Sequence, residues 1–448
     1  MATIATRDPI APRHPLRLAP EEALAALDTV REQTLALVGH LGDDALSTVL
    51  SPIMSPLVWD LAHIAAYEDL WLAHRHGGLE LLRPDLAELY DAFETPRSVR
   101  GEIELLDPEQ ARTYLNEVRA RTAEVLARRG VGDGTVYELV LRHELQHSET
   151  MRQTMALAGL LPAGEPPPWA LAESHTSGSR DIRLGNARST GHRDGHLDTH
   201  STNHRDTRSA NHLDAPRGNT PAEDWVRVAA GPFEMGALPE GFAYDNERPR
   251  HTVEVPAFEI ARLPVSNASW IGFSEGGGYE RREWWSDEGW AWKQQYDIVP
   301  DRGVASGHPD APVCHVSWFE AEAFARASGA RLPDEAEWEK AASSDLGSAV
   351  DGGDREQSGN AKAGAAAGVL TGVGYVWEWT SSRFEGYPGF VAHPYKEYSE
   401  VFFGGDYRVL RGGSWATSPR VGTVTFRNWD HPIRRQIFAG VRLARDMG

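Results

Sequence analysis

The sequence has 448 residues, 41% of them hydrophobic, which is enough for roughly two or three domains with substantial cores. Its 65 acidic residues outnumber 45 lysines and arginines, and the formal net charge of -20 argues against a nucleic-acid partner. No apolar run approaches the roughly 18–20 residues of a membrane helix, and a single cysteine, Cys314, excludes an intrachain disulfide. We therefore expect a cytoplasmic monomer without a membrane partner.

The first third of the chain has the pattern of a helical bundle. Apolar residues recur at the spacing of amphipathic helices, and capping signals separate the segments. Ser55-Pro56, for example, pairs a residue typical of helix N-caps with one typical of the first helical position. We predict a four-helix bundle over 20–162, preceded by a disordered tail over 1–19. The predicted helices span about 20–41, 55–71, 107–130 and 135–161.

A polar, low-complexity segment follows over 163–221. It contains three consecutive prolines and the run GHRDGHLDTHSTNHRDTRSANHLD. Its histidines could suggest metal binding, but Asp and Arg recur equally and no ligand spacing is regular. Few apolar residues are available to offset the entropy cost of ordering this segment. We predict a disordered linker or insertion that activity does not require.

The second half of the chain, over 222–448, differs from the first in composition and in hydrophobic pattern. Gly, Trp and Pro are frequent, and short strand-like runs alternate with turn signals. VRVAAGPFEMG predicts a hairpin with its turn at Gly231-Pro232, and HTVEVPAFEIARLPVS alternates with the period of a strand. Two short helices are predicted over 318–327 and 333–342. The pattern indicates an α+β domain separate from the bundle.

The motif with the clearest chemistry is LRHELQHSE, in the last predicted helix of the bundle. His143 and His147 are four residues apart and project from one helix face, within reach of a single metal ion. Val140 and Met151 continue that face, which places the pair toward the bundle interior. Buried imidazoles need polar partners, which either separate hydrogen bonds or one shared cation would supply.

A third histidine, His63, lies in another predicted helix of the bundle. Antiparallel packing would bring it against the face that carries His143 and His147. Three imidazoles leave coordination positions open, as a catalytic metal requires. Glu149 is an alternative ligand or ligand partner, but it stands two residues past His147 and points away from that face. Imidazoles suit zinc, iron, copper and nickel, so the residues alone do not select the metal.

The segments SPIMSPLVWDLAHIAAYEDLWL and LRHELQHSETMRQTM resemble the DinB-type bundle of the sulfoxide synthases of ergothioneine biosynthesis. The second half is similar to formylglycine-generating-enzyme-type, C-type-lectin-like domains, in phrases such as YVWEWT, RVLRGGSWAT and FAGVRLAR. The resemblance covers nearly the whole chain outside the tail and the polar segment. It implies a two-domain α+β fold, with a DinB-like bundle over 20–162 and a formylglycine-generating-enzyme-like domain over 222–448.

The same resemblance implies a cofactor and a reaction. Members of that family hold Fe(II) with three histidines, which His63, His143 and His147 match here. The remaining positions take a substrate thiolate, an imidazole and O₂. The implied enzyme joins hercynine, a trimethylated histidine, to γ-glutamylcysteine and releases γ-glutamyl-hercynylcysteine S-oxide.

A catalytic tyrosine from the second domain is also implied by the resemblance. Tyr387, in EGYPGF, is the residue to which we assign this role. Tyr375 is the alternative, and it stands where the family usually has Asn or Asp. The two nearby phenols leave the assignment open.

Two polar motifs match the family's substrate-binding residues. ETPRSVR has two arginines three apart, and FRNWDHPIRRQ has an aspartate and an arginine four apart, which suit carboxylates and an ammonium group. A glutamine beside the second ligand histidine and the tryptophan of NWD suit the trimethylammonium end of hercynine, because an indole face attracts a cation. The assignments are Arg97, Arg100, Asp430 and Arg434 for the thiol substrate, and Gln146 and Trp429 for hercynine.

The sequence also bears on three other functions. Formylglycine generation uses a pair of cysteines in the second domain, and Cys314 alone cannot provide it. A related synthase that takes free cysteine, with hercynine or with histidine, needs fewer arginines at the thiol site. A non-catalytic protein that binds a metal or a thiol is the alternative from another class.

Overall fold

The computed structural model describes residues 18–51, 53–162, 224–300, 308–343 and 368–447. The predicted polar segment and nearly all of the predicted tail lie outside the described residues. Within the described ranges, no helix combines the length and the apolar composition that a membrane crossing requires.

The four predicted helices are present in the predicted order, and the structure adds a short helix, Asp43–Ser47, that was not predicted. The helix Leu57–Glu68 continues into a π-helical segment, Asp69–His76. The helix Pro108–Arg129 is capped by Asp107, whose Oδ1 accepts a hydrogen bond from the Gln110 amide at 2.8 Å. The order agrees with prediction because both helical periodicity and capping are local properties of the sequence. The helices of this half are α1 (Pro20–Val38), α2 (Asp43–Ser47), α3 (Leu57–Glu68), α4 (Pro108–Arg129) and α5 (Thr135–Leu157).

The predicted cap of α3 is wrong by one residue. Pro56 is the cap, and the helix begins at Leu57. The Ser55 hydroxyl accepts a hydrogen bond from Arg100 Nη1 at 2.7 Å, so it serves the loop after the helix and not the helix start. Three backbone carbonyls of that loop, those of Leu89, Tyr90 and Ala92, also accept side-chain hydrogen bonds.

The second half is built from short helices and three small sheets among the described residues. The helices are α6 (Asn267–Glu275), α7 (Asp287–Gln295), α8 (Trp318–Ala327) and α9 (Glu335–Ala342). The strands are β1 (Trp225–Val228), β2 (Gly231–Met235), β3 (His251–Val255), β4 (Phe258–Ala261), β5 (Trp377–Arg383), β6 (Arg408–Arg411), β7 (Asn428–Asp430), β8 (Ala439–Gly440) and β9 (Ala444–Asp446). Within the sheets the strand orders are β1-β4-β9, β2-β3 and β7-β6-β5-β8.

Strand pairing corrects one sequence expectation. β1 pairs antiparallel with β4 and β2 with β3, so the predicted β1–β2 hairpin is wrong. Gly231 and Pro232 lie inside β2 rather than in a turn. The two predicted short helices are present as α8 and α9, and Asp334 caps α9 through the Glu337 amide at 2.7 Å. Helices and strands together confirm the predicted α+β class.

The apolar core connects the two halves. One cluster of buried residues includes Tyr137 and Val140 from α5 together with Tyr244 and Trp377 from the second half. A second cluster lies within the helical half and includes Trp59 of α3 and Met151 of α5. α5 therefore contributes to both cores, and its residues lie where the helical half meets the second half.

Candidate metal centre

Three histidines converge in the helical half. Ligand-competent atoms of His63, His143 and His147 all lie within 4.8 Å of one another, the only such group of His, Cys, Asp and Glu found in the described residues. His63 comes from α3 and the other two from adjacent turns of α5. The Nε2 atoms of His63 and His143 are 3.1 Å apart. The structure thus brings together the three residues that the sequence predicts as ligands.

Neighbouring groups orient two of the imidazoles. His63 Nδ1 donates to the Tyr90 carbonyl oxygen at 2.6 Å, and His147 Nδ1 donates to Asp60 Oδ1 at 2.9 Å. Because each Nδ1 is engaged as a donor, the Nε2 atoms of these two rings keep their lone pairs. Such hydrogen bonds are the usual means by which proteins fix the tautomer and direction of a metal-binding histidine.

The charge state of the cluster suits a cation. Burial, together with the neighbouring imidazoles, lowers the pKa of His63 and of His143 well below the ordinary value. Both rings are therefore neutral at neutral pH and carry a lone pair. Two nitrogens bound to one first-row metal at about 2.1 Å would lie about 3.0–3.4 Å apart for bond angles from right-angled to tetrahedral. The 3.1 Å between His63 Nε2 and His143 Nε2 fits that range, so these residues can hold a metal ion.

A tyrosine pair lies against the cluster. The Tyr67 ring stacks on His143 with centroids 3.6 Å apart and planes 9° apart. Its hydroxyl is 2.8 Å from the hydroxyl of Tyr395, which comes from the second half. Burial raises the pKa of both phenols, so both stay protonated and can donate a hydrogen. Of the two, Tyr395 is the one that the second half contributes.

Tyr387 and Tyr375 lie in other surroundings. Tyr387 is 6% exposed, its ring packs against His251 with centroids 4.6 Å apart, and the Arg427 guanidinium lies 4.2 Å from its centroid. The Tyr375 carbonyl accepts from the Trp415 amide at 3.1 Å in the loop after β6. Among the described residues, neither ring is paired with one of the three histidines. The role of Tyr387 stays a prediction that these contacts do not favour.

The predicted thiol-site residues meet at the junction of the two halves. Arg434 and Asp430 form an ion pair at 3.1 Å, and Arg434 Nη1 donates to the Ile53 carbonyl at 2.9 Å. Burial lowers the pKa of Arg434, Asp430 opposes that shift, and the charge of Arg97 adds to it. Arg97 is exposed. Like Arg434, Arg100 is already bound by protein groups, because its guanidinium donates to Ser55 Oγ and to the carbonyls of Thr95 and Ala92.

Gln146 and Trp429 are linked by a second pair of tyrosines. The Tyr244 hydroxyl donates to Gln146 Oε1 at 3.2 Å, and the Tyr244 ring stacks on Tyr398 at 4.6 Å and 4°. The edge of Trp429 meets Tyr398 with centroids 5.8 Å apart. Tyr244 and Tyr398 therefore lie between Gln146 and Trp429, and the binding of a cation by these two residues stays a prediction.

Glu149 contacts the second half and not the histidines. Its carboxylate accepts hydrogen bonds from Trp377 Nε1 at 2.7 Å, from Ser414 Oγ at 2.6 Å and from Thr417 Oγ1 at 2.6 Å. On the same side of α5, Glu138 pairs with Arg420. The expectation that Glu149 points away from the ligand face agrees with these contacts, which anchor the ligand helix to the second half.

Several residues of the site were missed by sequence reasoning. Asp60 and Tyr67 stand three residues before and four after His63, which is the spacing of neighbours on one helix face, so that signal was available. Tyr395 is separated from Tyr67 by 328 residues. No local pattern marks such a distant partner.

Family models match both halves of the chain. The DinB superfamily model matches residues 26–151, and the sulfatase-modifying factor enzyme 1-like domain model matches residues 211–447. These two matches confirm the predicted fold class, with a DinB-like helical half followed by a formylglycine-generating-enzyme-like half.

Two relatives match this chain over nearly its whole length, and a third matches less than half of it. Hercynine oxygenase of Mycolicibacterium smegmatis is 42% identical over 96% of this chain and 99% of its own length. Hercynine oxygenase of Mycobacterium tuberculosis is 40% identical over 96% of this chain and 99% of its own length. Ergothioneine biosynthesis protein 1 of Schizosaccharomyces pombe is 27% identical over 46% of this chain and 28% of its own. The resemblance inferred from the sequence motifs is thereby confirmed.

Proposed function

The chain belongs to the hercynine oxygenase family, and from this premise we propose that it joins hercynine to γ-glutamylcysteine with Fe(II) and O₂. It is an oxidoreductase of ergothioneine biosynthesis, and the proposed product is γ-glutamyl-hercynylcysteine S-oxide. The observation that carries the proposal is the convergence of three imidazoles within 4.8 Å. Two neutral rings among them, each with a free lone pair, supply the donor set that a divalent metal needs.

The proposed reaction balances without any further reagent. A C–H bond of the imidazole and the S–H bond of the thiol break, and a C–S and an S–O bond form. The second oxygen atom of O₂ leaves as water. Iron bound by His63, His143 and His147 would supply the one-electron chemistry that O₂ requires.

The protein's own groups orient the reactants and move a proton. We assign the phenol of Tyr395 as the hydrogen donor, because it lies 2.8 Å from Tyr67, whose ring covers His143. Gln146 and Trp429 are proposed to hold the trimethylammonium end of hercynine, which would turn its imidazole toward the three histidines. Arg97 and the Asp430–Arg434 pair are proposed to hold the charged ends of the thiol substrate.

A direct test compares the metal and O₂ consumption of matched histidine variants. The protein reconstituted with Fe(II) should consume O₂ only when both substrates are present. The double variant His143→Ala, His147→Ala should lose both bound iron and O₂ uptake, whereas His40→Ala should keep both, since His40 is exposed and bonds to the Leu160 carbonyl at 2.9 Å. Full turnover by the double variant would show that the reaction does not depend on a metal held by these histidines.

Free cysteine is the second candidate for the thiol substrate. Arg100 donates to Ser55 Oγ at 2.7 Å and to the Thr95 carbonyl at 2.9 Å. One of the arginines predicted to bind a second carboxylate is therefore already engaged, which favours a substrate with a single carboxylate.

Substitution of the exposed Arg97 distinguishes the two candidate thiol substrates. Arg97→Gln should raise the KM for γ-glutamylcysteine by about 10- to 100-fold, because a charge-assisted hydrogen bond is worth about 1.5–3 kcal/mol, and should change the KM for cysteine much less. Steady-state kinetics with each thiol measures this. A wild-type protein that turns over cysteine faster than γ-glutamylcysteine would replace the first candidate with the second.

The remaining proposals concern the setting of the molecule. We propose that it works in the cytoplasm as a monomer, with the bundle over 20–162 and the second domain over 222–448 as its two domains. The single cysteine fits a reducing compartment.

A further inference from the structure

Three planar groups form a stacked column behind the metal centre. The Arg100 guanidinium carbon lies 3.4 Å from the centroid of the Trp59 indole. The indole lies in turn over the His63 imidazole, with centroids 4.6 Å apart and planes 16° apart. Trp59 is fully buried, and Arg100 and His63 are 4% and 5% exposed. The column therefore runs from the buried loop arginine to a metal-binding ring without solvent between.

A single stretch of backbone holds all three members of the column. The Leu89 carbonyl accepts from Trp59 Nε1 at 3.3 Å, and the Tyr90 carbonyl accepts from His63 Nδ1 at 2.6 Å. The Ala92 carbonyl accepts from Arg100 Nη2 at 3.3 Å. One loop therefore holds an N–H group of each of the three planar side chains.

The stack and the hydrogen bond constrain different motions of the imidazole. Rotation of a histidine ring about its Cβ–Cγ bond has broad energy minima, so one hydrogen bond at Nδ1 leaves the plane of the ring free to tilt. A flat indole against one face removes that tilt. A guanidinium 3.4 Å from the indole centroid, held by protein acceptors, keeps the indole from sliding.

We propose that Trp59 and Arg100 are positioning residues for the metal, acting through the plane of His63. The other two ligands have different supports: Asp60 holds His147, and Tyr67 covers His143. The proposal rests on the metal of the proposed function but not on the identity of either substrate. It also gives Arg100 a role other than binding a carboxylate.

Electrostatics alone would give Arg100 the opposite effect. A buried positive charge near a cation site repels the cation, so its removal would strengthen metal binding. The positioning role requires that its removal weaken metal binding, because the indole loses its support. The sign of the change in Arg100→Gln therefore separates the two effects.

The test measures metal release without substrates. Metal-free protein is loaded with Co(II), whose visible absorption reports the bound state, and excess chelator is then added to follow release. Trp59→Leu should release Co(II) about 10- to 100-fold faster than the wild type, the range for loss of a group that orients a metal ligand. Trp59→Phe, which keeps a smaller ring, and Arg100→Gln should each show a smaller acceleration. Trp225→Leu is the matched control, since Arg445 lies 4.3 Å from that indole in the second domain.

The release rates distinguish failure of the positioning role from failure of the proposed function. Equal release rates from the wild type and from folded Trp59 and Arg100 variants would overturn the positioning role while leaving the metal centre intact. Slower release from Arg100→Gln would also overturn it. Failure of the wild type to bind Co(II) through its three histidines would instead overturn the proposed function. If circular dichroism shows that Trp59→Leu does not fold, Trp59→Phe and Arg100→Gln decide by the same measurement.

Discussion

At the scale of single residues, the centre depends on how imidazoles are held rather than on their presence alone. The chain has 18 histidines, and the three that converge lie beside groups that orient their rings or cover them. Asp60 fixes the direction of His147, and the Tyr90 carbonyl fixes that of His63. This arrangement converts three flexible side chains into a preorganised donor set.

Assigning the hydrogen donor to Tyr395 or to Tyr387 predicts opposite effects of the two phenylalanine substitutions on activity. Tyr395→Phe should reduce formation of the sulfoxide by about 100-fold or more, because proton transfer by a positioned group contributes on the order of 10²–10⁴ in rate, and should leave iron binding unchanged. Tyr387→Phe should keep most activity, since that ring packs on Arg427 and His251. Product formation and iron content of both variants are measured side by side. The reverse ranking would return the role to Tyr387.

At the scale of secondary-structure elements, the bundle was predictable and the sheets were not. The helices and the His143–His147 spacing follow from periodicity within one segment. β1, by contrast, pairs with β4 across the intervening β2–β3 pair, and such non-local pairing leaves no pattern in the strand itself. Tyr395 was missed for the same reason, because its contact with Tyr67 spans 328 residues.

A buried ion cluster ties three helices of the bundle together. Glu68 at the end of α3 pairs with Arg31 of α1 at 2.8 Å and with Arg119 of α4 at 2.9 Å. Burial alone would raise the pKa of Glu68, but Arg119 and Arg31 outweigh it and lower the pKa from 4.5 to about 2. The folded-state pKa lies below the unfolded one, so this carboxylate stabilises the fold above about pH 4.5. That contribution is lost as the pH falls toward 2.

Glu68→Gln should therefore remove a stability term that depends on pH. At pH 7 the variant should lose about 3 kcal/mol of unfolding free energy, or more because two guanidiniums lose their partner. The difference from the wild type should shrink as the pH falls from 4.5 toward 2. Urea unfolding across this pH range measures it, with Glu117→Gln, on the exposed face of α4, as the control. A difference that stays constant with pH would contradict the account.

At the scale of the whole molecule, the proposed active site draws on residues of both halves. The bundle supplies the three histidines, and the second half supplies Tyr395 and Trp429. α5 connects them, because its histidines face α3 while Glu149 binds Trp377, Ser414 and Thr417 of the second half. These contacts fix the position of the three histidines relative to the proposed substrate-binding residues of the second half.

Loss of the Glu149 contacts should lower the free energy of unfolding, and a double-mutant cycle should show an interaction energy between the two halves. Glu149→Ala leaves two buried donors, Trp377 and Ser414, and the half-buried Thr417 without their acceptor, and it should cost about 3 kcal/mol or more, since each unsatisfied buried group costs about 1–3 kcal/mol. Glu149→Gln keeps one carbonyl oxygen and should lose less. In a double-mutant cycle with Thr417→Val, the two changes should not add. Simple additivity of the unfolding free energies would show that this contact does not join the halves.

Three imidazoles are proposed to hold an iron ion that joins two substrates with O₂. The decisive measurement is mass spectrometry of the product made from hercynine and γ-glutamylcysteine under ¹⁸O₂. We expect one new species that contains both substrates and a single ¹⁸O atom on sulfur. Recovery of both substrates unchanged from iron-loaded protein, or of only the disulfide of the thiol, would contradict it.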